Sequence, residues 1–593
     1  VIGIDYLVLS LYMLAILAIG IIFAGKNKNS SEMFAAGGQS PWWTSGLSSF
    51  MTMFSAGTFV VWGGIAYKYG FVAIAINLCY GFSALAVGYW VAGRWKKLGI
   101  RSPAQWVQMR FGSGALHFYT WSMMLYRIVG VGVATYSLAV ILVALMPLSE
   151  GNPLRDPATG NLSLEWAIIL FGGIVVVYTM IGGLWAVLMT DVLQFIVLNM
   201  AVLFVVPLLL MNAGGLGEFI GAAPQGFFSF TGGGYTWFFL AGWTAIHFFM
   251  VGAEWAYVQR FICVRSPADA RKSCYLFGAL YLVSPFIWML PPIVWRVLHP
   301  IPDGATDQQI KMIGEQAYIA ACQSVLPPGM VGMMVAAMFS ATASMVSGQL
   351  NVFAGVLTTD IYTALVRPSA TESHLVWVGR VFTILLGVVL LGIALAIPHM
   401  GGAERVIVSI TSLLVGSLLA PTVWGLFSPR MSRSSVFVTG CVGFVVGFVV
   451  QFVLGPGGWW SGVKALAGVN RLIAEQGKTV EIVIGVGLPV VILTVLQLMG
   501  PVMTAGWQKV QQFAAQEQAA PSHVITNRLP ALVVAWSVGV CGVGMALLAW
   551  YDSQARVVLG IFAAAMVLLA VTIFAFVYRN PATMPQEVDH AQV

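Results

Sequence analysis

The chain has very little charge. Asp, Glu, Lys and Arg make up 8% of its 593 residues, against about 25% in an ordinary soluble domain, and this shortfall excludes a soluble globular fold. Cysteine is scarce too. The six, Cys79, Cys263, Cys274, Cys322, Cys441 and Cys541, are scattered with no C-x-x-C and no metal-ligand spacing. They give neither a disulfide framework nor a zinc site and read as small buried apolar residues. Of the seven histidines only His247 lies deep in an apolar run, and no i, i+4 pair falls inside one, which argues against haem. No G-x-x-x-x-G-K-[ST] occurs, which argues against an ATP-driven pump. Repeated mid-helix Lys, Glu or His, the signature of a membrane enzyme or proton-pumping subunit, is missing as well, so no enzyme is expected.

What the chain has in place of charge is apolar sequence, 59% of all residues, in runs long enough to cross a bilayer, for which about 20 helical residues suffice. The expected class is an all-α polytopic membrane protein. Hydropathy and breaks predict about fifteen transmembrane helices, at 3–24, 42–70, 71–93, 115–147, 164–184, 187–211, 234–259, 272–298, 327–365, 375–398, 401–427, 435–455, 480–501, 529–550 and 556–577. Residues 151–163 read as a polar external loop, 299–325 as another with a short surface helix, and 456–478 as a third with an amphipathic piece. The tail after Arg579 reads as disordered.

Basic residues set orientation, because cytoplasmic loops of membrane proteins are rich in Lys and Arg. With the N-terminus outside, the cytoplasmic loops collect Lys26, Lys28, Arg94, Lys96, Lys97, Arg101, Arg110, Arg260, Arg265, Arg271, Lys272, Arg367, Arg430, Arg433, Lys509, Arg528 and Arg579. The opposite loops hold Arg155, Lys311, Lys464, Arg471 and Lys478. The bias predicts N-out/C-in. It also accounts for the net charge of +7 without nucleic acid; the expected partners are a small-molecule solute and the lipid bilayer, in a monomer or homodimer.

Two five-helix blocks, 42–211 and 234–427, share a pattern. The third helix of each is the longest, and the first of each is interrupted by small residues, Ser55-Ala56-Gly57 and Gly252-Ala253. Five is odd, so the second block would sit inverted relative to the first. Inverted blocks with first helices broken at mid-membrane are the pattern of secondary transporters, in which freed backbone groups coordinate ion and solute.

The stretch 326–365 is too long for one upright crossing and must tilt, bend or leave the lipid. Within it Ser340, Ser344, Ser347 and Asn351 fall at i, i+4, i+7 and i+11, one stripe of a helix. Singly, such serines bond back to their own carbonyls or let helices approach. Together they are hard oxygen ligands of the kind an alkali cation prefers, and they mark one wall of an ion or solute path.

Ionisable residues inside spans are functional candidates. Asp191 lies early in a helix after a Gly pair, with Gln194 one turn on; the alternative is a solvated or base-paired carboxylate. Arg127 lies about a dozen residues inside a long helix, where its fork suits a solute carboxylate or a structural partner such as Asp191 or Glu254. His247 and Glu254 stand at i and i+7 in an interrupted helix. His247 is a hydrogen-bond donor, a proton carrier, or a histidine satisfied by a carbonyl. Asn77, Tyr80 and Thr58 are further candidates for lining a polar cavity.

The runs PWWTSGLSSFMTMFSAGTF (41–59), YTMIGGLWAVLMTDVLQF (178–195), YVQRFICVRSPADARKS (257–273) and ATASMVSGQLNVFAGVLTTDIY (341–362) jointly resemble the sodium/solute symporter family, which includes bacterial sugar, proline and sialic acid symporters and the sodium-glucose cotransporters. The resemblance implies a LeuT-like 5+5 inverted repeat. Residues 1–41 would be a leading helix and loop, 42–211 and 212–427 the two repeats, 428–577 four trailing helices, and 578–593 a cytoplasmic tail. It implies Na+ as coupling ion, held by carbonyls matching Met51, Phe54 and Ala341 and a hydroxyl matching Ser344. The family's second hydroxyl position here holds Met345, a soft thioether, which leaves that site one ligand short. A second sodium site in some members matches Asp191, Ser344 and Ser347, with Gly348 where a further serine is usual. Solute positions match Thr58, Asn77, His247 and Tyr281, a set unlike that of galactose carriers, while Arg127 lies near the arginine that sialic acid carriers use for the carboxylate.

The expected function is therefore sodium-coupled symport of a small polar solute, favouring a carboxylate or acidic sugar such as sialic acid, by alternating access in a cell inner membrane. The alternatives are a proton-coupled or sodium-independent carrier of the same fold and a non-transporting solute sensor.

Overall fold

A computed structural model describes residues 3–24, 40–179, 184–327, 329–363, 366–455, 458–460, 463–518, 529–551 and 556–579. Among these the chain is nearly all helix, and β-structure is confined to isolated bridges such as Ser40 with Val264. Lys26, Lys28, Arg528 and the tail after Arg579 lie outside the described residues.

The helices that position the site are α1 (Gly3–Ala24), α2 (Trp42–Thr52), α3 (Gly63–Tyr69), α4 (Val72–Val87), α5 (Ser113–Leu145), α6 (Leu164–Thr179), α7 (Leu184–Asn212), α8 (Trp237–Ala253), α9 (Trp255–Ile262), α10 (Pro267–Val283), α11 (Asp307–Val325), α12 (Met330–Val356), α13 (Glu372–Ala396), α14 (Ala403–Phe427), α15 (Arg433–Phe448), α16 (Ala467–Ile482), α17 (Leu488–Met499), α18 (Leu529–Tyr551) and α19 (Arg556–Arg579). Nine helices among the described residues are long and apolar enough to cross a membrane. Each coincides with one of the expected spans. The other six expected spans hold broken helices or shorter described apolar stretches.

Both interrupted helices are present. α2 stops at Thr52, and the chain re-enters helix through a π-turn at Thr58–Trp62 before α3. Gly70, with φ +62°, ends α3 where an added Cβ would lie 2.0 Å from the Phe227 carbonyl oxygen, so only glycine fits. In the second interrupted helix the break falls at Glu254, whose backbone is extended (φ −68°, ψ 135°), one residue past the expected Gly252-Ala253. This corrects the reading of His247 and Glu254 as one helical face: the helix ends between them.

α12 is the hub. It is continuous for 27 residues, about 40 Å at 1.5 Å per residue, and then runs through a π-turn at Leu357–Tyr362. Its most apolar stretch is 94% buried, against 33% for the His374–Met400 and Arg433–Leu454 spans and 28% for Ala467–Met499. Those three therefore form the periphery while α12 is walled in by α1, α5, α6 and α7.

Three loop assignments are corrected. Residues 299–325 contain a 19-residue helix, α11, opened by a capping box between Thr306 and Gln309; it packs on α3 and is no short surface helix. Within 456–478 the amphipathic piece is the start of a span, because α16 passes through a π-turn at Val483–Gly487 straight into α17, kinked at Gln476. Arg110, expected among solvated cytoplasmic charges, is buried and donates to the Ser428 carbonyl and Thr504 Oγ1, each at 2.8 Å. It staples the end of α14 to the segment before a further helix, Ala505–Gln518.

Candidate cation and solute site

Asp191 is buried on α7 between α2 and α12. Ser48 Oγ of α2 donates to Oδ2 and Ser344 Oγ of α12 donates to Oδ1, both at 2.5 Å. Arg260 of α9 places one terminal nitrogen 3.8 Å from Oδ2 and donates through Nε to Ser48 Oγ at 2.9 Å. Arg260 was expected among the basic residues of the cytoplasmic loops; it lies on α9 and is buried, its other terminal nitrogen donating to the Ala256 carbonyl at 2.7 Å. One carboxylate thus joins helices from both five-helix segments. One turn further along α7, Gln194 Nε2 donates to Ser340 Oγ at 2.5 Å, and Ser347 Oγ donates to the Ser344 carbonyl at 3.0 Å. Three members of the serine stripe therefore face protein, Ser340 and Ser344 meeting α7, while Asn351 is only partly buried.

The first break sits beside this cluster. Phe54 N–H donates to the Met51 carbonyl at 2.9 Å, and Ala56 N–H donates to Thr342 Oγ1 of α12, also at 2.9 Å. α12 thus grips the break by Thr342, a residue one position beyond Ala341, while the adjacent Ser344 turns its proton toward Asp191. A hydroxyl that donates to a carboxylate keeps its lone pairs as acceptors. The groups expected from sequence to hold a cation, the carbonyls of Met51, Phe54 and Ala341, the hydroxyls of Ser344 and Ser347 and the Asp191 carboxylate, offer only oxygen, the ligand type that a hard monovalent cation prefers; of these the structure joins Ser344 to Asp191 and Ser347 to the Ser344 carbonyl. Among the described residues no three His, Cys, Asp or Glu side chains gather as a transition-metal site.

Next to the break lies a cavity of about 80 Å³, lined among others by Thr58, Arg127, His247, Tyr80, Trp243 and Met345. Ligand pockets run to roughly 300–1,000 Å³, so the helices around this cavity must separate to take in an organic solute. Arg127 of α5 is buried and ion-paired with Glu254 at the second break. Glu254 Oε1 also accepts from Gln349 Nε2 of α12 at 3.2 Å. Arg127 Nε has no hydrogen-bond partner among the described residues. His247 Nδ1 lies 2.8 Å from the Trp243 carbonyl; a carbonyl only accepts, so Nδ1 carries the proton and Nε2 is left as the acceptor. The rings of Tyr80 and Trp243 stand 4.1 and 4.5 Å from the imidazole and hold its plane.

Of the solute residues read from sequence, Thr58, Arg127 and His247 come together at this cavity and two do not. Asn77 Nδ2 bonds back to the Ala73 carbonyl at 2.8 Å within its own helix. Tyr281 packs its ring against Phe50, Phe277 and Tyr80. Neither lines the cavity. Sequence reasoning missed Ser48, Arg260, Thr342 and Gln349. Ser48 was visible as a hydroxyl in the first interrupted helix, and Arg260 as a base six residues beyond the break at Glu254 in the second.

The family model and the sequence relatives point to one family. The sodium:solute symporter family model matches residues 33–443. The sodium/sialic acid symporter NanT of Aliivibrio fischeri is 27% identical over 453 residues, 73% of this chain and 85% of that protein. The sodium/glucose cotransporter 2 of Rattus norvegicus is 24% identical over 500 residues, 76% of this chain and 72% of that protein. A solved structure of a Na+-coupled sialic acid symporter, substrate-bound and outward-open, superposes with a TM-score of 0.63 at 23% identity, covering 85% of this chain and 99% of that one, and establishes the LeuT-like fold. The chain is a multi-pass membrane transporter that belongs to the sodium:solute symporter family.

Proposed function

We propose that this protein is a sodium-coupled symporter of an acidic sugar such as sialic acid. The observation that carries the reading is Arg127, a buried guanidinium at the wall of the central cavity, whose Nε has no partner among the described residues and which can meet a solute carboxylate in the bidentate geometry that Arg favours once that carboxylate displaces Glu254. Thr58 and His247 Nε2 offer hydrogen bonds to sugar hydroxyls. The family name and the relatives' names support sodium as the coupling ion. Its ligands here are the carbonyls of Met51, Phe54 and Ala341 with Ser344 at one position, and Asp191 with Ser344 and Ser347 at the other, Ser344 being shared. Met345 weakens the first position, so the second carries more of the coupling.

The cation couples to the gate because Asp191 is tied to both segments. Sodium drawn to the carboxylate competes with Arg260 and with the protons of Ser48 and Ser344, and it favours whichever arrangement of α2, α9 and α12 presents these oxygens together; a ligand shifts an equilibrium by its differential affinity for the two states. At the opposite end of the interrupted helix, Lys68 after the first break pairs with Glu404 of α14, whose Oε1 accepts from Tyr235 at 2.9 Å. That tie must open to admit solute. No covalent step is needed. The arrangement has 42–211 and 212–427 as inverted repeats between a leading helix and the trailing helices, about fifteen crossings, N-out/C-in, in the cell inner membrane, as monomer or homodimer.

Radiolabelled sialic acid uptake into proteoliposomes under an imposed sodium gradient tests the proposal. Uptake that requires sodium inside-low supports it; binding without uptake would indicate a sensor, and uptake driven equally by a proton gradient would indicate proton coupling. A second reading, a neutral sugar, is favoured by the Arg127–Glu254 pair, which neutralises the guanidinium. Glucose accumulation exceeding sialic acid accumulation in the same vesicles would establish it.

A further inference from the structure

Away from the central cavity, at the C-terminal end of α14 and just before Arg430, a groove of about 520 Å³ opens between α8, α14, α17 and the π-turn Gly88–Ala92 that follows α4. Its walls are aromatic: Trp90, Phe248, Trp424 and Phe427 line it, Trp90 and Phe248 edge to face at 6.3 Å. Trp90 is 54% exposed and Phe427 37%. Trp424 is held in place by an indole N–H bond to Gln497 of α17. Such a surface is apolar along its length and sits on the outside of the helix assembly.

Its mouth is basic. Arg430 lines the groove, with one terminal nitrogen only 3.4 Å from the Gln497 carbonyl. Arg94 stacks its guanidinium 4.2 Å over the Phe427 ring, which directs a second cation to the same rim. None of the ten residues that line the groove is acidic. This is unlike the opposite end of the molecule, where Lys68 meets Glu404 and Arg471 meets Glu475. An aromatic trough with two guanidiniums at one end, neither ion-paired among the described residues, matches an amphiphile with an anionic head and apolar tails.

We propose that this groove is a binding site for an anionic phospholipid, with the headgroup phosphate on Arg94 and Arg430 and an acyl chain along Trp90, Phe248 and Trp424. Guanidinium forks recognise phosphate oxygens in a bidentate fashion, and basic pockets between transmembrane helices hold anionic headgroups. The lipid's chain fills space that the protein leaves between α8 and α17. The site is separate from the cation and solute residues, none of which lines it.

The test uses the whole purified chain in detergent, titrated with phosphatidylglycerol or phosphatidylcholine and read by native mass spectrometry. Wild type should retain phosphatidylglycerol in preference to phosphatidylcholine. Arg94→Ala/Arg430→Ala should lose about 30-fold in phosphatidylglycerol affinity, from two cations near an anionic surface, and bring the two lipids level. Lys97→Ala/Arg101→Ala removes equal charge from the same region without touching the groove and should leave the preference intact. Trp90→Ala keeps every charge and should weaken retention of phosphatidylglycerol. Equal binding of both lipids by wild type, or an equal loss in the Lys97/Arg101 control, would overturn the proposal. If the double arginine variant fails to insert, Arg94→Gln and Arg430→Gln singly carry the same expectation, each with a smaller loss.

Discussion

Asp191→Asn is the sharpest test of the cation assignment. The carboxylate accepts two hydroxyl bonds at 2.5 Å, from Ser48 and Ser344. Asparagine offers one acceptor and one donor, so one serine can keep donating while the other rotates to accept, and both bonds survive as neutral ones. Charge-assisted bonds contribute about 1.5–3 kcal/mol and neutral ones about 0.5–1.5 kcal/mol, so the exchange costs about 1 kcal/mol per bond and about 2 kcal/mol in all. The fold should tolerate this, and the variant should insert. The cation should not tolerate it, because the one formal negative charge among the proposed ligands is gone. A loss of the same order on the cation, about 2 kcal/mol, is roughly 30-fold in the half-saturating sodium concentration, read from initial uptake rates in proteoliposomes over a sodium series. Arg260→Met in the same background removes the cation left unpaired, so it should leave insertion no worse, and it should restore none of the sodium affinity. A half-saturating sodium concentration within twofold of wild type for Asp191→Asn would refute the assignment of Asp191 as a sodium ligand.

Met345→Ser should restore the hydroxyl that the family pattern has at this position and lower the half-saturating sodium concentration about tenfold; an unchanged sodium curve would mean that the carbonyls of Met51, Phe54 and Ala341 hold no ion. Arg127→Gln should abolish accumulation of sialic acid while sodium-induced thermal stabilisation persists, and Arg127→Gln/Glu254→Gln should insert better than Arg127→Gln alone, because the single change strands a buried carboxylate at a cost of about 3–5 kcal/mol. Retained sialic acid uptake in Arg127→Gln would favour the neutral-sugar reading. Gly416→Ala should detach the trailing helices from the core: its Cβ would lie 1.7 Å from the Gly485 carbonyl oxygen, so a thermal unfolding midpoint equal to wild type would show that α14 and the π-turn before α17 are not in such close contact.

The helices were legible because burial in lipid writes itself into long apolar runs, and each of the nine long apolar helices sits where hydropathy put one. Breaks were legible only approximately. Gly252 and Ala253 look like the weak point by propensity, yet both are helical and the chain opens at Glu254, whose carboxylate is engaged by Arg127 and Gln349; tertiary pairing outweighed local preference. The site divides in the same way. Asp191 and the serine stripe stood out because polar groups in apolar helices are costly. Arg260 did not, because an arginine near a span end reads as a topology signal until its burial is seen. Asn77 looked as polar as Thr58, but its amide N–H bonds its own helix's Ala73 carbonyl and the residue does not line the cavity.

α12 is in contact with all three polar centres. Thr342 holds the first break through Ala56 N–H, Ser344 holds Asp191, and Gln349 holds Glu254 at the second break. Thr342 and Gln349 are seven residues apart, two turns and about 10 Å along one face, so the two breaks are fixed at a set separation by a rigid, nearly fully buried rod. A cation that changes the Ser344–Asp191 contact pulls on the same rod that positions Glu254, and Glu254 is the group that competes with a solute carboxylate for Arg127. If Asp191 holds the cation and Arg127 the solute, ion occupancy and solute affinity are linked through α12 without any direct contact between ion and solute. Gln349→Leu should expose that linkage: it leaves every proposed sodium ligand in place, so sodium affinity without solute should stay near wild type, while the enhancement of solute affinity by sodium should fall. By reciprocity the enhancement of sodium affinity by solute must fall by the same factor. If Gln349→Leu lowered both intrinsic affinities and left their mutual enhancement unchanged, α12 would be a scaffold and not the connection.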